Sequence, residues 1–179
     1  MDDSASTATL VHAARAGSQA AMAALYQRFA PVVHGVLLAR LQPADADDLT
    51  QDVFETALQR LHTLHEPAAF PGWIISIARR AAVEGRRRAP RTVAGAAESL
   101  ADLSATPEQR LEAGRVLAAI QALPAAYRET LLLRLAEGLN GPEIAERTGL
   151  SHGSVRVNLH RGMSLLRAAL SIPVEGGHR

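Results

Sequence analysis

Residues 140–167 read as two helices hinged on one glycine, and no other stretch narrows the folding choices so far. Asn140 can cap a helix, Glu143 three positions on completes a capping-box pair, and Pro142 is tolerated in the first turn. Ile144 and Ala145 point inward, Gly149 ends the helix, Leu150 can plug the turn, and Ser151 can cap a longer helix. Helix, glycine-bearing turn, helix is the helix-turn-helix pattern. At about 100° per residue, with Val155 at the origin, Leu159, Gly162 and Leu166 fall at about 40°, 340° and 20° and form one apolar face. Ser154, Val157, His160 and Arg161 fall on the far side, with Arg156 on a flank. Residues 151–167 carry three arginines and no carboxylate. Such a face fits the DNA major groove, where arginine can bind guanine through two hydrogen bonds. The plainer alternative is a helical hairpin whose arginines are merely solvated.

The remainder of the chain is also helical in pattern. Alanine and leucine dominate, aromatics are only 3%, and hydrophobic residues reach 47%, enough to bury a core. Leu10, Val11 and Ala14 open a short helix that stops at Gly17, and Ser18 can cap a second carrying Met22, Leu25, Tyr26 and Phe29. Pro31 suits the first turn of a third, with Val33, Val36, Leu37 and Leu41 as its stripe. A fourth runs from Pro43 to about Leu61, and His62 to Ala69 reads as a loop containing Pro67. Pro71 restarts a helix through Trp73, Ile74, Ile77 and Ala78 into an arginine run. Residues 89–106 are rich in small and turn-forming types and read as a linker. Beyond it, one helix over about 108–122 is broken at Leu123-Pro124, and another runs through Tyr127, Leu131, Leu132 and Leu135 to Gly138. The expected architecture is all-α, with two small domains, 7–88 and 107–170, on a flexible tether.

Net charge is +1, yet the charge is segregated. Asp45, Asp47, Asp48, Asp52 and Glu55 crowd one stretch without a base. Arg79, Arg80, Arg86, Arg87, Arg88 and Arg91 crowd another against Glu84 alone. Local polarisation of this kind suits two sorts of partner. Cysteine is absent, which excludes disulfides, thiolate metal sites and thiol catalysis. The acidic start, Met1-Asp2-Asp3, lacks the order of a signal peptide, and no run approaches the roughly 18 apolar residues of a membrane span. A cytoplasmic protein is expected. His62 and His65 lack a third metal-ligating partner, and the acidic spacing is no calcium loop, so neither metal nor cofactor is expected. No catalytic constellation and no glycine-rich phosphate loop stand out, so an enzyme is not expected.

Residues 123–167, LPAAYRETLLLRLAEGLNGPEIAERTGLSHGSVRVNLHRGMSLLR, resemble region 4 of bacterial sigma factors, closest to the extracytoplasmic-function (ECF) group of the sigma-70 family. ARAGSQAAMAALYQRFAP resembles region 2.1, ADADDLTQDVF region 2.2, and FPGWIISIARRAAVEGRRR regions 2.3 to 2.4. The resemblance spans nearly the whole chain outside the linker and the last few residues, with two independent motifs in the right order.

The resemblance implies an initiation factor that binds core RNA polymerase and reads two promoter elements. Asp48, Gln51, Asp52 and Glu55 would dock on the clamp helices of the largest polymerase subunit, and region 4 on the flap of the second-largest. Ser151, Ser154, Arg156, Val157, His160 and Arg161 would read the −35 element. The −10 element would fall to the loop carrying His62 and His65 and to Trp73, Arg79, Arg80, Arg86, Arg87 and Arg88. For Trp73 the neighbours Ile74 and Ile77 favour packing in the core over a platform for base stacking. The loop, with Pro67, Ala68 and Ala69, departs from the family's polar pattern, and Arg80 stands where asparagine is usual. On the recognition helix Val157, Asn158 and Gly162-Met163 replace the usual Ser, Arg and Ala-Arg. Most family members are held by an anti-sigma protein, which the resemblance adds to the partners. A DNA-binding regulator acting without polymerase is the competing reading, and the acidic helix, which such a regulator does not need, discriminates against it.

Overall fold

The structure is a computed structural model that describes residues 6–88 and 106–170, without the side chains of residues 86–88. Eight α-helices and no strand occur among the described residues: α1 (Thr7–Arg15), α2 (Gln19–Leu38), α3 (Pro43–Arg60), α4 (Phe70–Arg88), α5 (Pro107–Gln121), α6 (Ala125–Leu135), α7 (Gly141–Thr148) and α8 (His152–Ala169). Short 3-10 turns at Leu61–Thr63 and Pro67–Ala69 occupy the segment expected as a loop.

Local chemistry sets most of the boundaries. Ser6, Ser18 and Ser151 each accept a backbone N–H of the following first turn, and Thr106 and Asn140 form full capping boxes with Gln109 and Glu143. Gly149 closes α7 at φ 75°, a left-handed conformation that costs glycine little. Leu150 does not plug the turn; it is exposed.

One boundary differs from expectation. Pro31 lies inside a single 20-residue helix rather than opening a third. An interior proline costs about 3 kcal/mol, through the missing N–H and a ring clash. Here buried Leu25 and Phe29 precede it and buried Val32, Val33, Val36 and Leu37 follow, so packing along the whole length of α2 offsets that cost. Gln27, whose carbonyl Pro31 leaves without a helical partner, is an exposed residue and not part of the core.

The helices α1 to α4 enclose one apolar centre. Phe29 meets Phe70 edge-on at 5.1 Å, Val53 and Phe54 of α3 pack inward, and Ile74, Ala78 and Ala82 bury one stripe of α4. Arg15 donates to the carbonyls of Leu61 and Leu64, which ties α1 to the turn after α3. Tyr26, expected on an apolar face, is exposed, as is Leu58 on α3; the Tyr26 ring leans on Phe54 at 4.7 Å.

The helices α5 to α8 form a second centre of Leu117, Ile120, Leu131, Ile144, Val155 and Leu166. Gly162 lets α8 approach α6: a Cβ there would lie 3.1 Å from the Leu131 side chain. That close approach gives the departure from alanine at this position a packing reason.

These two sets of helices are in contact. On α6, Leu131 faces α8 while Leu133, about 200° round the helix, faces Gly35 of α2. Gln121 donates to the carbonyls of Leu38 and Leu41 at 2.8 and 2.9 Å, satisfying acceptors that the end of α2 leaves open. Residues 89–105, the body of the expected linker, lie outside the described residues, so that expectation is neither met nor broken there.

Candidate nucleic-acid interface and docking face

The helix pair α7–α8 sets the geometry of the first candidate surface. Val155, Gly162 and Leu166 are buried and Leu159 is half-buried, so the apolar face of α8 is the one the sequence indicated. Ser151, Ser154, Arg156, Val157, His160 and Arg161 are all exposed. Ser151 is spent as the N-cap, accepting from the Ser154 N–H at 3.1 Å, and the two hydroxyls are 2.8 Å apart. Val157 shows 43% of its surface. An exposed valine flanked by arginines costs little in stability and offers an apolar contact for a thymine methyl. Asn158 turns the other way, its amide 3.5 Å from the Thr130 hydroxyl on α6.

A second surface runs along α3. Asp48, Gln51, Asp52 and Glu55 are exposed, while Ala46, Thr50, Val53 and Ala57 face the core. The row is therefore a continuous acidic edge on a rigid helix. Asp47 belongs elsewhere: its Oδ1 lies 3.1 Å from His34 Nε2.

The third surface surrounds the start of α4. His62 and His65 are exposed. Glu66 accepts from the Ala68 N–H and holds the turn that brings Pro67 and Phe70 into the core. Trp73 is half-buried, its ring 5.9 Å from Phe70 and packed against the core. Arg80 is exposed, with its guanidinium held over Ser76 at 3.3 Å. Arg79 is half-exposed and engaged: it donates to Glu129 at 2.8 Å. Arg86, Arg87 and Arg88 end α4, and their side chains lie outside the described residues.

Comparison with known proteins settles what these surfaces belong to. Residues 25–92 match the family model Sigma-70 region 2, and residues 113–166 match Sigma-70 region 4. A probable RNA polymerase sigma factor RfaY of Xanthomonas campestris is 36% identical over 90% of this chain and 43% of its own length. The ECF RNA polymerase sigma factor RpoE of Cereibacter sphaeroides is 32% identical over 86% of this chain and 88% of its own. The chain belongs to the ECF group of the sigma-70 family. Sigma factors of this family are transcription initiation factors that work with core RNA polymerase on promoter DNA. The sigma fold extends to a solved structure, CnrH in complex with the cytosolic domain of CnrY. The TM-score is 0.62, the identity 24%, and the likeness covers 95% of this chain and 98% of that one. In this sigma factor most of α2 with α3 and α4 fall in region 2, and most of α5 with α6, α7 and nearly all of α8 in region 4. Among the described residues no helix is long and apolar enough to cross a membrane.

Sequence reasoning missed the residues that join region 2 to region 4. Glu129, only 8% exposed, lies between two guanidinium groups, Arg40 at 2.7 Å and Arg79 at 2.8 Å. His34 donates its Nδ1–H to the Glu137 carboxylate at 2.5 Å, while Asp47 approaches its other ring nitrogen. The hydrogen bond to Glu137 raises the His34 pKa above its ordinary value, opposed by burial and reinforced by the charges of Glu137 and Asp47. A raised pKa means that the protonated ring favours the packed arrangement. That contribution is complete below the ordinary histidine pKa and is lost as pH rises through the raised value. A signal for this contact was present. Residues 129–133 are buried without a break, and an unbroken run leaves no single solvent face, as expected for a helix packed on two sides.

Proposed function

We propose that this chain directs promoter-specific initiation by core RNA polymerase, reading the −35 element with α8 and the −10 element with the turn before α4 and with α4 itself. The observation that carries the reading is the exposed face of α8. Ser154, Arg156, Val157, His160 and Arg161 stand clear of the core on a helix that a helix-turn-helix presents outward. Ser151 at the N-cap points its end of the helix at a phosphate, and the arginines reach base edges. At the −10 side Arg79, Arg80, Arg86, Arg87 and Arg88 supply phosphate contacts, which position the protein without reading sequence. Trp73, half-buried at the start of α4, follows the segment of His62 and His65, where an unstacked base would be received.

Docking on the polymerase falls to Asp48, Gln51, Asp52 and Glu55, a row whose charge and apolar neighbours complement a basic coiled coil on the largest subunit. Region 4 meets the flap of the second-largest subunit. An anti-sigma protein is a further partner, and the chain works in the cytoplasm without cofactor, metal or catalysis of its own. The test is gel filtration of the purified chain with core polymerase. Co-elution in one complex is the expected result; separate elution at micromolar concentration contradicts the reading.

A further inference from the structure

We propose that Glu129 of region 4 is an internal latch that occupies the region 2 arginines and holds the two domains together until a phosphate displaces it. The geometry points to this competition directly. The two carboxylate oxygens of Glu129 each take one guanidinium, Oε1 from Arg40 and Oε2 from Arg79. A phosphodiester presents the same pair of anionic oxygens, and arginine binds both groups through the same fork. Arg40 is largely enclosed, with 17% of its side chain exposed, whereas Arg79 keeps 53% exposed. An approaching phosphate therefore reaches Arg79 first, and Glu129 then loses one of its two partners while remaining among buried residues. A charge left half-paired in such a place is costly, so loss of one pair destabilises the closed arrangement.

The rest of the contact is built to separate as a unit. Gly35 of α2 lies flat against Leu133, and a Cβ there would come within 2.7 Å of that side chain and 3.3 Å of Glu137. Gln121 and the His34–Glu137 pair add polar links that water can replace. This latch rests on the reading of Arg79 as a phosphate contact, and it explains how a chain can carry such an arginine without committing it to any nucleic acid.

The experiment uses the full chain, which has no native cysteine, with fluorophores on cysteines introduced at exposed Gln59 and Ser164. Single-molecule energy transfer is read at fixed pH, because His34 titrates. Wild type gives one high-transfer population. Glu129→Gln, which keeps the side-chain shape, shifts most molecules to low transfer. Gly35→Glu does the same by an independent route, through the clash with Leu133 and repulsion from Glu137. Circular dichroism establishes that each variant retains its helices, and Gly35→Glu carries the test if Glu129→Gln does not fold.

Binding to a mixed-sequence DNA duplex is then measured against salt. Glu129→Gln raises affinity several-fold and steepens the salt dependence by about 0.9 per arginine engaged. Adding Arg79→Gln removes that gain. Glu146→Gln, an equal change of charge on exposed α7, gives less than half of it. High transfer retained in both Glu129→Gln and Gly35→Glu overturns the latch. So does opening without a gain in DNA affinity, or a gain that survives Arg79→Gln. Failure of the initiation-factor reading is separate: there the wild type does not co-elute with core polymerase, whatever the transfer shows.

Discussion

Asp48→Arg combined with Asp52→Arg reduces promoter-dependent transcription to the level of core polymerase alone, while the protein keeps its fold. Both carboxylates are exposed on α3, one helical turn apart, in the row that Gln51 and Glu55 complete. Substitutions at such surface positions change stability within about 0.5 kcal/mol, so unfolding does not account for the loss. Reversal of two charges instead sets like against like across a docking surface, which costs several kcal/mol and suppresses encounter as well. Run-off transcription and thermal melting are compared for wild type and variant. Asp47→Asn belongs in the same series as a contrast: Asp47 faces His34 rather than the outer row, and its loss leaves transcription largely intact. A folded double variant that still initiates at the wild-type rate contradicts the docking assignment.

Arg156→Ala and Arg161→Ala change which promoters are used, whereas alanine at Arg86, Arg87 or Arg88 changes how strongly all of them are used. The first pair projects from α8 on its exposed side and flank, and on the proposed reading at least one guanidinium reaches a base edge. Loss of a two-bond contact to guanine costs about 1–3 kcal/mol and relaxes preference at one −35 position. On the proposed reading the arginines that end α4 act on phosphates. Their removal weakens every promoter alike and lowers the salt slope by about one unit per contact. Transcription from a library randomised at −35, beside a salt titration, separates the two behaviours. If both α8 variants keep the wild-type preference, α8 does not read bases.

The candidate surfaces were legible because each rests on short-range chemistry. The capping box at Asn140, the stop at Gly149 and the apolar stripe of α8 are properties of neighbouring residues, and periodicity alone orients Arg161 away from Val155. The acidic row on α3 followed in the same way from spacing on one helix. Long-range packing was less accessible. Pro31 read as a helix start, since nothing local reveals that α2 is enclosed along its length and can absorb an interior proline. Tyr26 read as core, yet it is exposed, with its ring tilted against Phe54. Glu129 gave no local hint of its partners, because Arg40 is 89 positions away and Arg79 is 50. Even so, the unbroken burial of residues 129–133 is foreshadowed by Thr130-Leu131-Leu132-Leu133, a run too apolar for a helix with one wet side.

The most direct measurement is the mapping of transcript starts made by core polymerase, with and without this chain, on a library of randomised upstream DNA. With the chain present, starts gather at a fixed distance downstream of one bipartite sequence motif, and Arg156→Ala or Arg161→Ala blurs only its distal half. A distribution of starts unchanged from that of core polymerase alone would contradict the account.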